Sequence, residues 1–148
     1  MCGILAISGR PVNERTLREA TQTLRQRGPD DHGLLSFPRC ILAQTRLAII
    51  DLSHDGHQPM RDNSRNVAIT FNGEIYNYKE LRAGLEKKGH RFSSHSDTEV
   101  ILKAYIEYGD VCPEYLDGMF AFVIWDEERN RAFMARDRFG KKPLYYHI

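Results

Sequence analysis

Apolar residues come in short blocks along this chain, and the spacing within them alternates between continuous runs and a helical period. The opening "CGILAIS" (2–8) is apolar almost throughout and reads as a short buried strand, ended by Gly9, Arg10 and Pro11. In 13–28, Leu17, Ala20, Thr21 and Leu24 fall at i, i+3, i+4 and i+7, which predicts a helix with Asn13 as cap and Gly28 at its end. "GPDDHG" (28–33) reads as a turn-rich loop. "LLSF" (34–37) and "CILAQTRLAIID" (40–51) predict strands around a Pro38-Arg39 turn. In 66–81, β-rich residues flank Asn72-Gly73, the strongest short hairpin signal. Asn77 followed by Glu80 resembles a capping box opening a helix over 78–89, with Gly89 past its end. A second amphipathic helix is predicted over 96–109, capped by Ser96 or Asp97 and terminated by Gly109. Residues 119–137 predict two strands around a polar turn, and "KPLYYHI" (142–148) a strand running into the C-terminus. Runs of strands separated by helices imply sheets with helices packed outside, an α+β layout.

Composition narrows the class. With 148 residues the chain fits one domain, and 41% hydrophobic with 28% charged residues suits a packed globular protein. A net charge of +1 provides no broad field, which argues against nucleic acid or an anionic membrane as partner. No apolar run approaches the ~18 residues of a membrane span, and the N-terminus lacks the basic leader of a signal peptide. Three scattered cysteines (Cys2, Cys40, Cys112) without a CxxC read as reduced thiols in a cytoplasmic protein. The pairs His54/His57 and His90/His95 lack companions for a four-ligand metal site and read as loop histidines.

The chemistry-bearing positions are scattered. Cys2 is either a small hydrophobe opening a buried strand or, with Met1 removed, a thiol carrying a free α-amino group on the same residue. Such an amine titrates near ~7.7–8.0 and can take the thiol proton without a histidine. Gly3 would then let a substrate approach the backbone. Asn72 and Gly73 are either an ordinary turn or, through a side-chain amide and a backbone N–H, donors for an oxyanion. Arg46, at the start of an apolar run, and Asp97, at a helix start, suit the carboxylate and ammonium of an amino acid; a structural ion pair and an N-cap are the plainer alternatives. Spacing alone does not bring these residues together.

The blocks "MCGI", "RGPDDHG", "TRLAIIDLSHDGHQPM", "FNGEIYN", "SDTEVIL", "LDGMFAFVIWD" and "ARDRFGKKPLYY", in this order, resemble the N-terminal glutaminase domain of glutamine-dependent asparagine synthetases. These are class II glutamine amidotransferases, N-terminal nucleophile hydrolases, and the likeness spans residues 1–148. The resemblance implies a four-layer αββα sandwich and L-glutamine as substrate. It implies Cys2 as nucleophile after methionine removal, with Asn72 and Gly73 as oxyanion hole. Arg46 would hold the substrate carboxylate, with Leu47, Ala48, Ile49 and Ile50 continuing the pocket wall; Glu74 would be an adjoining glutamine contact, and Asp97 would meet the substrate amino group. No metal or cofactor is expected in this chain, ATP and magnesium being expected for a synthetase domain or subunit outside it.

Two departures from the family pattern stand out. Gln44-Thr45 occupies positions where many relatives carry histidine, with an effect expected on packing at the pocket rim. The family's domain continues past "KPLYY", so the fold is expected to be C-terminally incomplete, with uncovered sheet edges that favour a partner chain or self-association. Two alternatives follow: a shortened, non-catalytic copy that acts by binding, and an amidotransferase whose acceptor is not aspartate.

Overall fold

Two antiparallel sheets lie face to face with helices on both outer sides, in a computed structural model that describes residues 1–9 and 13–148. The first sheet holds β1 (Gly3–Ser8), β2 (Asp31–Ser36) and β3 (Cys40–Arg46) in the order β1-β3-β2. The second holds β4 (Met60–Asp62), β5 (Val67–Ile75), β6 (Gly118–Asp126) and β7 (Arg131–Arg136) in sequential order. Helix α1 (Glu14–Thr23) packs on the outer face of the first sheet. Helices α2 (Tyr78–Lys87) and α3 (Asp97–Tyr108) cover the second. The layers run α-β-β-α, the expected sandwich.

The outer core joins Ile69, Phe71 and Phe122 of the second sheet to Leu85 of α2 and Ile101 of α3. Between the sheets, Leu42 and Cys40 meet Ala68, Val123 and Trp125. The second sheet is therefore covered on both faces, which is why β5 and β6 are apolar almost without alternation. Each large side chain removed from water here contributes about 1.5–3 kcal/mol. Side chains alternate along a strand. Cys2, Ile4 and Ala6 thus share one face of β1, and Ala6 packs between the sheets. Leu42, Gln44 and Arg46 share the same inward face of β3, and Ala68, Thr70 and Asn72 the facing side of β5, where the Thr70 hydroxyl donates to the Ala43 carbonyl at 3.1 Å.

Several expected elements differ. Arg10 and Pro11, the expected stop of the first strand, lie outside the described residues; Gly9 takes φ 84°. The Asn13 side chain does accept from the Arg15 N–H at 2.8 Å, but α1 stops at Thr23 and a 3-10 turn (Arg25–Arg27) carries the chain to Gly28. β2 begins at Asp31, inside the expected loop, and β3 ends at Arg46 rather than running to 51. Asn72-Gly73 makes no hairpin: both lie within β5, paired across to Ala121 and Phe120 of β6. The reversals fall instead beside Asn66 (φ 49°) and Asn130 (φ 48°). Non-local pairing with β6 and burial on both faces outweigh the local turn preference. The Asn77 side chain does not cap α2; it donates to Tyr115 O at 2.9 Å and accepts from Asp117 N at 3.0 Å. Residues 142–148 form no strand, and Tyr145 and Tyr146 are exposed. No helix among the described residues is long and apolar enough to cross a membrane.

Candidate active site

At one end of the space between the sheets lies a cavity of about 340 Å³ that includes Cys2, Arg46, Asn72, Gly73, Glu74 and Asp97 in its wall. These side chains arrive from β1, β3, β5 and α3, on faces fixed by strand alternation and by the start of one helix. Leu47, Ile49 and Ile50 also line it. Ala48 does not: its N–H is taken by Asp30 Oδ2 at 2.9 Å.

Cys2 precedes β1 and is partly buried. Its Sγ accepts from the Leu47 N–H at 3.4 Å and lies 3.7 Å from Leu47 O. Burial pushes the thiol above its ordinary value, assisted by Asp97; the Leu47 contact, the chain-terminal ammonium and Arg46 pull it down without compensating. The thiol therefore rests protonated and needs a base. Gly3 serves packing, not substrate approach: a Cβ there would meet Leu24 Cβ and Thr45 Oγ1, both at 2.6 Å.

The oxyanion donors follow from the ladder of β5. Residues of even number bond to β6, as Glu127 N to Asn66 O and Tyr76 N to Asp117 O frame it, so odd-numbered N–H groups point to the opposite edge. Pairing with β4 stops at Ile69. Beyond it, the Phe71 N–H is taken by Gln58 Oε1 at 2.8 Å and the Ile75 N–H by Asp97 Oδ2 at 3.0 Å. Between these two capped positions, the Gly73 N–H is left pointing at the cavity. The Asn72 amide, buried on the inward face, makes no hydrogen bond within the described residues. A Cβ on Gly73 would meet Met119 O at 2.1 Å, so only glycine fits.

Arg46 donates to Ser53 O at 3.1 Å and to Asp51 O, closing the 47–53 loop over itself. A guanidinium has five donors, so these two bonds leave others for an anion. Asp51 in turn accepts from Ser53 N at 2.9 Å and His95 N at 3.0 Å; its bonds to Ser53, first the hydroxyl, hold its carboxyl below the usual range. Asp97 is not the cap of α3. Ser96 is, accepting from Glu99 N at 3.2 Å, and Asp97 is thereby free to face the cavity. Burial lifts the Asp97 carboxyl to about 6, against the pull of its backbone donors. Glu74 beside it has no partner within the described residues. Asp97 and Glu74 thus line the same cavity as the Arg46 guanidinium, charges of both signs that suit the two ends of an α-amino acid.

Two residues were not legible as site residues. Gln58 joins strand to helix, its amide reaching Phe71 N and, at 3.0 Å, Thr98 Oγ1. Lys142 is buried in the cavity wall. A polar residue beside proline in "HQPM", and a lysine running into "PLYY", were the available signals. Gln44 lies not at the rim but in the inter-sheet core, donating to Phe71 O at 3.0 Å. His57 pairs with Asp31 at 2.6 Å and His90 with Glu107 at 2.9 Å, and no metal-sized cluster occurs among the described residues.

Comparison with known proteins bears on this site. The family described as glutamine amidotransferase domain matches residues 1–148. The chain is 42% identical over 152 residues to asparagine synthetase (glutamine-hydrolyzing) 3 of Bacillus subtilis, covering 99% of this chain and 25% of the relative. It is 47% identical over 149 residues to asparagine synthetase (glutamine-hydrolyzing) 2 of Arabidopsis thaliana, covering 98% of this chain and 25% of the relative. The chain thus spans about a quarter of the length of these curated relatives. Among solved structures it is similar to glutamine phosphoribosylpyrophosphate amidotransferase of B. subtilis, with TM-score 0.70, 20% identity, and coverage of 84% of this chain and 35% of that one. At that identity the likeness concerns the fold.

Proposed function

The chain belongs to the glutamine amidotransferase family, and on that premise we propose that it hydrolyses the side-chain amide of L-glutamine through a thioester on Cys2, exposed by removal of Met1. The observation that carries this reading is the convergence of Cys2, the spare Gly73 N–H, the unbonded Asn72 amide, Arg46 and Asp97 on one cavity. Arg46 takes the glutamine carboxylate, and Asp97 with Glu74 takes its ammonium. Leu47, Ile49 and Ile50 shape the wall; Ala48, whose N–H is held by Asp30, stands outside it.

The resting thiol is protonated, so the α-amino group of Cys2 removes its proton as Sγ attacks the side-chain carbonyl carbon. The C–S bond forms and the carbonyl electrons move to oxygen, where the Asn72 amide and Gly73 N–H receive the charge. Each such donor is worth about 2.7–4 kcal/mol in the transition state. Collapse breaks the C–N bond, and the ammonium of Cys2 returns its proton to the departing ammonia. Water then attacks the thioester with the amine again as base, releasing glutamate.

The ammonia is destined, on this reading, for a synthetase domain or subunit that amidates an activated carboxylate, as the names of the relatives suggest. ATP and magnesium chemistry belongs there. Three free cysteines support a reducing, cytoplasmic setting. The test is intact mass before and after an electrophilic glutamine analogue, with turnover of Cys2→Ala beside it. Loss of Met1, one adduct mapped to Cys2, and no turnover by a folded Cys2→Ala chain are expected. Comparable turnover by that variant sinks the assignment.

A further inference from the structure

Lys142 is only 4% exposed, yet no carboxylate pairs with its ammonium among the described residues. Its position is built rather than incidental. The Asp137 carboxylate gathers the N–H groups of Phe120 (3.1 Å), Lys141 (2.9 Å) and Lys142 (3.0 Å), pinning the turn that leaves β7. Gly140, at φ 64°, lets that turn close. The carboxylate bonds to the backbone of Lys142 and leaves the side chain to run into the cavity wall beside Cys2. There its Nζ lies against Met1 Sδ, the one partner its ammonium has among the described residues.

A methionine sulfur lies a few bonds from the nitrogen of the next residue. The contact therefore places Nζ within about 9 Å of the nitrogen of Cys2, by the covalent reach of the Met1 side chain. When Met1 leaves, Lys142 loses this partner, and the new amine forms within that range of its ammonium. We infer that Lys142 is a positioning residue for the chemistry at Cys2, its buried ammonium holding the new α-amino group as a free base. A fixed positive charge repels the protonated amine and leaves the neutral amine unaffected, so more of the chain carries a competent base at neutral pH. The other charges around Cys2 divide. Arg46 acts in the same sense, Asp97 opposes it, and Glu74 and Asp51 line the same cavity. Arg27, whose Nε donates to Cys2 O at 3.2 Å, is engaged with the backbone.

The inference rests on the proposed role of Cys2, and its test reads the amine directly. Chain labelled with 13C-cysteine and lacking Met1 is titrated by NMR, the Cys2 signal being identified with Cys2→Ser. Lys142→Met is expected to raise the midpoint of the amine by about one pH unit, from a unit charge at this range in a partly wet cavity. Lys142→Arg, which keeps the charge, is expected to leave it in place, and the acid limb of glutamine turnover should follow. Lys142→Gln replaces the methionine variant should that one not fold. An unmoved midpoint in the neutral variant, or an equal rise in Lys142→Arg, overturns the inference. Absence of any adduct with the glutamine analogue in the unaltered chain overturns instead the reading of Cys2.

Discussion

Asp97→Asn separates what this carboxylate does for the ligand from what it does to the fold, since the two have opposite signs. Asp97 is 5% exposed, and burial lifts its carboxyl from 3.8 to about 6. Between those values the folded chain holds a proton that the unfolded chain has released, so stability falls as pH rises through the window. By pH 7 the difference amounts to about 3 kcal/mol, and at pH 5 to about half of that. Asparagine keeps an acceptor for the Ile75 N–H, bonded at 3.0 Å, and brings no charge. The variant should therefore be the more stable chain at pH 7 by up to about 3 kcal/mol, or roughly 6–12 °C in Tm for a domain of this size. Glutamine binding should move the other way. Losing a charge-assisted bond to the ligand ammonium costs about 1.5–3 kcal/mol, or roughly ten- to more than a hundredfold in Kd. Thermal melts at pH 5 and pH 7, with and without glutamine in a Cys2→Ala background, read both effects. A variant no more stable than its parent at pH 7, or one stabilised by glutamine as strongly, refutes the reasoning.

The remaining predictions concern the frame. Gly73→Ala should destabilise by more than about 2 kcal/mol and remove glutaminase activity, because its Cβ would sit 2.1 Å from Met119 O and 2.7 Å from Phe120 Cα, both backbone; an unchanged urea midpoint contradicts this. Lys103→Met should cost about 1.5–3 kcal/mol at pH 7, the worth of a charge-assisted bond, by removing the partner of part-buried Asp62 at 2.6 Å. Burial alone would raise the Asp62 carboxyl, but Lys103 and Ser64 outweigh it and hold it low, so the pair's stability is lost as pH falls through the depressed value. Urea unfolding of parent and variant should converge in acid, and a gap that stays constant counts against the pair.

Local rules were reliable wherever the decisive contacts were local. The Asn13 cap, Gly28 at the end of the first helical segment, and the helical faces of α1 to α3 follow from spacing a few residues long. The same rules misread Asn72-Gly73, whose fate is decided by β6, some fifty residues on. They also could not tell Ser96 from Asp97 as the cap. Asp97 instead takes the distant Ile75 N–H, a partner that spacing along the helix does not reveal. The site residues were named from ordered blocks matching a family, whereas their meeting in one cavity needed the fold. Gln58 and Lys142 carried only the weak signal of a neighbouring proline, because a buried amide and a buried ammonium look in sequence like any surface polar residue. Ala48 shows the converse limit: a run of adjacent residues does not all face one way.

The dispersal of the site along the chain has a consequence in time. Cys2 leaves the ribosome ahead of Arg46, Asn72 and Asp97, and Lys142 follows them. Since β1 pairs with β3 and the facing sheet needs β6, the pocket wall cannot close on a half-made chain. On the proposed reading, an aminopeptidase would meet Met1 while the emerging segment is still extended and accessible, before Lys142 exists to hold the methionine sulfur. On that reading trimming comes ahead of assembly, and the amine it exposes waits beside its thiol until β5, β6 and the turn after β7 complete its surroundings.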